Sequence, residues 1–349
     1  MDNKVAWGII GAGGIADRRT LPGMMLCKNA YPAALMEVDK QKAKALAEKY
    51  RVDAYYTSVE ELLADKNVQA VYIASPVIFH KEQVLAAAKA GKHILCEKPL
   101  CLTSKDSEEI TQFCYRRDVF AATGFMMRYH SLHRKIKQFI KDGKIGNIVS
   151  CRAQMNCWYP GNDGGWSGKK AKAGGGALID MGIHCIDLLE YLTNSVCTQV
   201  FAFCETKTFS YDVEDSANAI LKLSNGATAY VDVNFNIPDN ACPCRLEVFG
   251  TKGSLIAEGT IGQEEIGLLK CVFSNQSEYD AAQKRISLEK IEYSPENGNL
   301  YEKEISSFSN SILNGCAVEV PMKSAAHAQR VVEAAYKSSE TLSAIAIND

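Results

Sequence analysis

The chain has 349 residues, with 39 Lys and Arg against 41 Asp and Glu, a formal charge of −2, 23% charged and 47% hydrophobic residues. This is globular composition, which excludes collagen-like, coiled-coil and disordered chains. So even a charge balance gives no global reason to bind nucleic acid or an anionic membrane.

At ~150 residues per domain the length predicts two domains, or one large one. No run of ~18 apolar residues is available to span a bilayer. Met1-Asp2-Asn3-Lys4 leads straight into a strand-like segment, with no secretory signal, so a cytoplasmic location is expected. The 13 scattered cysteines are then expected as reduced thiols with structural roles. Cys242 and Cys244 are the one close pair. They lack a second pair or a nearby His, so no metal site is expected.

The first third alternates two periodicities. Strands are predicted at 5–10, 31–38, 55–56, 70–74, 93–97 and 120–123. Helices are predicted at 15–25, 41–50, 80–90 and 104–117, with a capping box at Ser58 and Glu61. This rhythm implies a doubly wound parallel sheet. Near Gly124 the rhythm changes. A helix at 132–141 and a strand at 148–155 precede a loop rich in Gly and Trp, and a helix at 177–192 follows. Alternating segments at 199–208, 216–223, 228–235, 244–249 and 254–257, separated by turn signals such as Asn225-Gly226, predict a largely antiparallel sheet. A helix is predicted at 325–346. The domains expected are therefore 1–124 and 125–349.

Gly11-Ala12-Gly13-Gly14-Ile15-Ala16 reads G-x-G-x-x-A between a strand and a helix. Gly11 permits the tight turn, Gly13 lets backbone approach a pyrophosphate, and Ala16 allows close helix–strand packing. The helix N-terminus, at Gly14 and Ile15, offers free N–H groups to the phosphates. Glu37, at the end of the second strand, is placed to hold the ribose hydroxyls. Its carboxylate repels a 2′-phosphate, and Val38 rather than Arg follows it, so NAD is favoured over NADP. Lys40 and Lys42 lie further along.

Two later segments sharpen the reading. Cys96-Glu97-Lys98-Pro99 ends a strand on the edge where such sheets bind ligands. Gly174 to Asp187 joins a glycine hinge to D-x-G-x-H-x-x-D, with Asp180 and His184 four apart on a helix.

These segments resemble the glucose–fructose oxidoreductase / inositol dehydrogenase / MocA-like family of NAD(P)-dependent oxidoreductases. The resemblance also covers Ala74-Ser75-Pro76 with His80, Gly124-Phe125-Met126-Met127-Arg128-Tyr129, and Pro321 before an Ala-rich helix. It implies an α/β protein: an N-terminal Rossmann domain plus a C-terminal α/β domain with a large, mostly antiparallel open sheet. That sheet is often used for oligomerisation, so a homo-oligomer, dimer or tetramer, is expected. The substrate is implied to sit against the nicotinamide, between the domains. By carry-over, Lys98, Asp180 and His184 match the catalytic positions, and Ser75, Pro76, His80, Glu97, Lys98 and Arg128 match positions that line the cofactor. Tyr129, Trp158 and Trp166, with Lys98, Asp180 and His184, are the expected substrate contacts. The chain departs from the family's pattern at Ser131, where Pro is common, and at Trp166-Ser167, where Trp-Arg is common.

Such chemistry needs a proton acceptor beside the hydride acceptor that NAD supplies. An imidazole suits proton transfer near neutral pH, which makes His184 the candidate base, with Lys98 donating to the reacting oxygen and Asp180 orienting a neighbouring hydroxyl. Lys98 is the alternative base. Asp187 is expected as a structural partner to a basic group, and His93 as structural, while His130 and His133 divide between surface and site. Trp158, Tyr159 and Trp166 flank a Gly-rich stretch and suit a sugar's apolar face. The expected activity is NAD-dependent oxidation of a secondary hydroxyl of a sugar, glycoside or cyclitol, leaning to carbon 3 of a pyranose. Inositol dehydrogenase, keto-sugar reductase and NAD-dependent glycosidase are the alternatives. A nucleotide-sensing regulator is a further class, which the joint presence of Lys98, Asp180 and His184 argues against.

Overall fold

A computed structural model describes residues 4–161, 168–274, 276, 278–282, 288 and 290–347. They fall into two compact units, each assembled from separated stretches of chain.

The first unit comprises Met1–Met126, Gly164–Gly174 and Gly298–Arg330. Its sheet has six parallel strands, β1 (Val5–Ile10), β2 (Ala30–Met36), β3 (Ala54–Tyr56), β4 (Ala70–Ile73), β5 (His93–Cys96) and β6 (Ala121–Thr123), in the order β3-β2-β1-β4-β5-β6. Every residue of β1 and β4 is buried, as expected where both faces of a parallel sheet are covered. The strand order reverses between β1 and β4, and ligands of doubly wound sheets bind at that switch point.

Local signals set the helix starts. The Asp39 carboxylate accepts from the Gln41 and Lys42 amides and opens the Lys40–Tyr50 helix. Ser58 Oγ accepts from the Glu61 amide at 3.2 Å, but the Glu61 carboxylate reaches Thr57 N rather than Ser58 N, so only half of the expected capping box forms.

The sequence pattern predicted no helix between 257 and 325, yet Leu300–Asn314 is helical, capped by Asn299, and belongs to this first unit. Its Ser309 Oγ accepts from the Trp7 indole at 3.1 Å, and Phe308 packs against the Trp7 ring. Gly23 admits the helix: a Cβ there would lie 2.8 Å from Glu302 N.

The second unit comprises Met127–Asp163, Gly175–Asn297 and Val331–Asp349. Its nine strands are β7 (Ile148–Asn156), β8 (Cys197–Glu205), β9 (Ser216–Leu223), β10 (Thr228–Asn234), β11 (Arg245–Gly250), β12 (Gly253–Glu258), β13 (Leu268–Phe273), β14 (Lys290–Tyr293) and β15 (Ile345–Ala346). They lie in the order β14-β13-β12-β11-β7-β10-β9-β8-β15, and only β7 and β10 pair in parallel. Burial alternates along β9, so one face is core and the other is open. The Ile183–Thr193 helix packs on β7 and β10, and the Ser131–Lys141 helix packs beside it. The opposite face exposes Phe203, Ile220, Tyr230 and Phe249.

Two expectations are corrected. The last helix runs Met322–Thr341 and stops at Leu342, which turns left-handed, and Ile345 then pairs with Val200 in β15. Strands β13 and β14 fall where no element was expected. Lys135 and Lys137 lie over the Tyr293 and Tyr191 rings. Among the described residues no helix is long and apolar enough to cross a membrane.

Candidate active site

The nucleotide turn follows β1. Gly11 has φ +77°, and a Cβ there would lie 2.7 Å from Ser75 N, so both conformation and space demand glycine. The Gly11 and Ala12 amides donate to Met36 O. The Gly13 amide donates to Glu37 Oε2 at 3.1 Å, which seats the acid directly beneath the turn. Gly14, also at positive φ, has open space where a Cβ would be. Ala16–Thr20 then winds as a wide helical turn before the α-turn Leu21–Met24. A glycine cradle closed from below by a carboxylate fits a dinucleotide.

Lys42 also reaches Glu37, at 3.6 Å, so the lysine read as lying further along is brought back to the acid. Replacing Glu37 with alanine is expected to erode the preference for NAD over NADP, because the repulsive charge goes while Lys42 stays. Fluorescence titration of both nucleotides measures this, and an unchanged affinity ratio would show that Glu37 does not discriminate between them.

The ends of β4 and β5 carry the next group. His80 is buried, with Nδ1 3.0 Å from Pro99 O and Nε2 2.8 Å from Ser75 O. Burial pushes its pKa down, against the two carbonyls. Through these two contacts the ring ties the Ser75-Pro76 turn to the Lys98-Pro99 segment. Lys98 is half-buried, and its amide donates to the Glu97 carboxylate at 3.3 Å. Glu97 accepts from the Tyr72 hydroxyl, and the Thr20 hydroxyl donates to Tyr72 Oη at 2.8 Å.

Close to this network is a residue the sequence reading missed. Glu304, on the Leu300–Asn314 helix, is 1% exposed and neither carboxyl oxygen has a hydrogen-bond partner. Burial, then the charge of Glu97, pushes its pKa well up.

In the second unit the glycine hinge is explained by Glu214. Its carboxylate accepts from the Gly176 and Leu178 amides at 2.9 Å each and from the Tyr336 hydroxyl at 2.8 Å. A Cβ on Gly176 would lie 1.9 Å from Glu214 O, and one on Gly175 2.0 Å from Tyr336 Oη. The hinge opens a wide turn, Leu178–Gly182, that runs into the Ile183–Thr193 helix. Such turns recur at functional sites. Asp180 is exposed on the wide turn, and His184 is buried one turn on. Lys98 belongs to the first unit, and Asp180 and His184 to the second.

Other expected residues have explicit partners. Arg128 Nε donates to Asp187 Oδ2 at 2.8 Å and Nη2 to Oδ1, with both side chains buried and the guanidinium over Tyr191. Asp187 is thus the structural partner that the sequence implied. Tyr129 is buried beneath Arg134. His130 and His133 are fully buried and stacked, bonded to Ile266 O, Met127 O and Thr260 Oγ1. Desolvation drives the His133 pKa down to about 3, so it is a neutral core residue. His93 accepts from Phe120 N in the first unit.

Trp158 is 47% exposed and meets Phe209 edge-on at 5.1 Å. Phe209 and Tyr211 were not singled out from sequence. They come from a loop folded by Asp215, whose carboxylate accepts from the Lys207, Thr208 and Phe209 amides. Tyr211 donates in turn to Tyr159 O at 3.2 Å. Trp166 lies outside the described residues.

Residues 5–125 match the model of an oxidoreductase family with an NAD-binding Rossmann fold, and residues 133–256 match the GFO/IDH/MocA C-terminal domain. The 1,5-anhydro-D-fructose reductase of Ensifer adhaerens is 31% identical over 262 residues, 75% of this chain and 78% of that protein. The chain belongs to the GFO/IDH/MocA family. This GFO/IDH/MocA protein is therefore an oxidoreductase with an NAD-binding Rossmann domain. It is also 30% identical to the myo-inositol 2-dehydrogenase of Thermotoga maritima over 256 residues, 72% of this chain and 74% of that one. Its fold matches that of a levoglucosan dehydrogenase solved with NADH and levoglucosan, with a TM-score of 0.88, 22% identity, and coverage of 99% of this chain and 100% of that one.

Proposed function

We propose that this oxidoreductase uses NAD to oxidise a secondary hydroxyl of a sugar, glycoside or cyclitol, acting at carbon 3 of a pyranose or pyranoside to give the 3-keto product. The observation that carries the reading is the Asp180–His184 turn, an exposed carboxylate one turn from a buried imidazole, on a hinge that Glu214 fixes. A carboxylate is a strong acceptor for a sugar hydroxyl, and an imidazole takes a proton near neutral pH.

In this reading Gly11, Gly13, Gly14, Ile15 and Glu37 hold the nucleotide, and Ser75, Pro76 and Glu97 line it. Bound NAD supplies the hydride acceptor. His184 takes the hydroxyl proton. Lys98 donates to the reacting oxygen and stabilises its developing charge. Asp180 accepts from the neighbouring hydroxyl and orients the ring. Trp158, steadied by Phe209, offers an aromatic face to the apolar side of the sugar.

The similarity to a 1,5-anhydro-D-fructose reductase favours one second reading, the same residues run in reverse as a keto-sugar reductase. The exposed apolar face of the nine-stranded sheet supports a homo-oligomer, with a second copy seated on it; sedimentation of wild type as a monomer removes that assignment. Thirteen free thiols support a cytoplasmic setting.

The test is incubation with NAD, NADP and a panel of hexoses, glycosides, inositols and keto-sugars, with products read by mass. A product lighter by two hydrogens on a pyranoside, made with NAD, is expected. Turnover of keto-sugars alone favours the reductase, release of an aglycone without net NADH favours a glycosidase, and no turnover of any member removes the proposal.

A further inference from the structure

We infer that Cys242 and Cys244 are an oxidisable dithiol, a modification site at which a hydroperoxide converts two thiols into one disulfide beside the Asp180 turn. The chemistry is independent of the proposed substrate, and only its effect on turnover rests on that reading.

Cys242-Pro243-Cys244 joins the short turn Asp239–Ala241 to β11. Cys242 is extended, but Cys244 has φ +49°, a left-handed conformation that a side-chain-bearing residue rarely adopts. That reversal brings both thiols to the end of β7. Asn156 Nδ2 donates to Cys242 Sγ at 2.9 Å, and the Asn156 amide donates to Cys244 Sγ at 3.5 Å. The Cys242 thiol donates to Gln154 Oε1, and the Cys244 thiol to Asn156 O. Both sulfurs therefore sit against the same residue, Asn156. Both are half-exposed, unlike Cys151, Cys185, Cys197 and Cys271, which are buried in the same unit.

The balance is simple. The Cys242 sulfur attacks the terminal peroxide oxygen, the O–O bond breaks and an alcohol leaves, or water where the oxidant is hydrogen peroxide, giving a sulfenic acid. The Cys244 sulfur then attacks the sulfenic sulfur, the S–S bond forms, and the sulfenic hydroxyl leaves as water with the Cys244 proton. Two thiols lose two electrons, and the peroxide gains them. Both thiol donations to the β7 end are lost. The next residue, Cys157, lies with Sγ 3.8 Å from Met181 Sδ, between Asp180 and Gly182. Strain at Asn156 therefore reaches the Asp180 turn through one contact.

The experiment uses the full chain in its native assembly, treated with hydrogen peroxide, blocked with N-ethylmaleimide and cut with trypsin. Residues 223–245 form one tryptic peptide carrying Cys242 and Cys244 and no other cysteine. The expected result is loss of both maleimides and a peptide lighter by two hydrogens, reversed by dithiothreitol. Turnover should fall several-fold with the same time course, while Cys242→Ser keeps wild-type turnover before and after peroxide. Two maleimides retained while the exposed Cys316 oxidises overturns the site. So does a crosslink to the peptide that carries Cys157. A disulfide that leaves turnover unchanged overturns the link to the Asp180 turn.

Discussion

Alanine at His184 lowers kcat by about 10²–10⁴-fold, the range for losing a positioned general base, and leaves the chain folded and able to bind NAD. The hinge explains why the fold survives. Glu214, Gly176 and Tyr336 hold the turn through backbone and carboxylate contacts that do not involve the imidazole. Lys98→Ala is expected to fall by a comparable factor, since its ammonium stabilises charge that develops only as the hydroxyl ionises. The two variants separate in their pH profiles. The one that has lost the base loses the acid limb of kcat/KM, and the other keeps it at lower amplitude. Steady-state rates with the substrate found by the panel, beside a nucleotide titration, measure both. Wild-type turnover in both variants would end the catalytic assignment.

Asp187→Ala gives the largest expected loss of stability, about 3–5 kcal/mol, because it strands a buried guanidinium. Arg128 and Asp187 are 8% and 3% exposed and joined by two hydrogen bonds. Burial works against the charge on Arg128, and the Asp187 carboxylate more than offsets it. With the carboxylate gone, Tyr191 remains over the guanidinium, but a ring face attracts a cation far less than an anion does. Replacing both residues with apolar side chains of similar volume is expected to recover much of the loss, since the pair's net contribution is small once both desolvation costs are counted. Urea unfolding of the three variants reads this, and an unshifted midpoint for Asp187→Ala would show the pair to be dispensable.

The parts of the fold that were legible share a cause. Val5–Ile10 and Ala70–Ile73 are buried on both faces, so their strands read as unbroken apolar runs, and Gly or capping residues mark the ends. The strand Ser216–Leu223 is legible for the opposite reason, a clean alternation. Lys290–Tyr293 was not, because an exposed edge strand keeps no apolar face to betray it. The Leu300–Asn314 helix hid behind its serines. Only Leu300, Tyr301, Ile305 and Phe308 mark its buried side, and Glu304 sits among them as a polar residue where a core position would be apolar. The terminal strand was lost because Ala and Ile after the last helix suit either state, and the left-handed Leu342 carries no glycine signal.

The site divides in the same way. Gly11, Gly13 and Glu37 were legible because a local backbone requirement dictates residue type at fixed spacing. Glu214, Tyr336, Phe209 and Tyr211 were not, since their roles come from contacts across long stretches of chain.

The late helix over Trp7 has a consequence for synthesis. The Trp7 indole waits for Ser309, a partner 302 positions downstream. Gly23 and Cys27 likewise wait for Tyr301 and Glu302. On the ribosome, the nucleotide-binding half emerges with one flank of its sheet bare and stays so while strands β7 to β14 are translated. A fragment that stops after β6 would carry every glycine of the nucleotide turn and still expose Trp7, Leu21 and Met24 to water. The first unit is therefore completed only once Leu300–Asn314, made long after β6, has packed over Trp7.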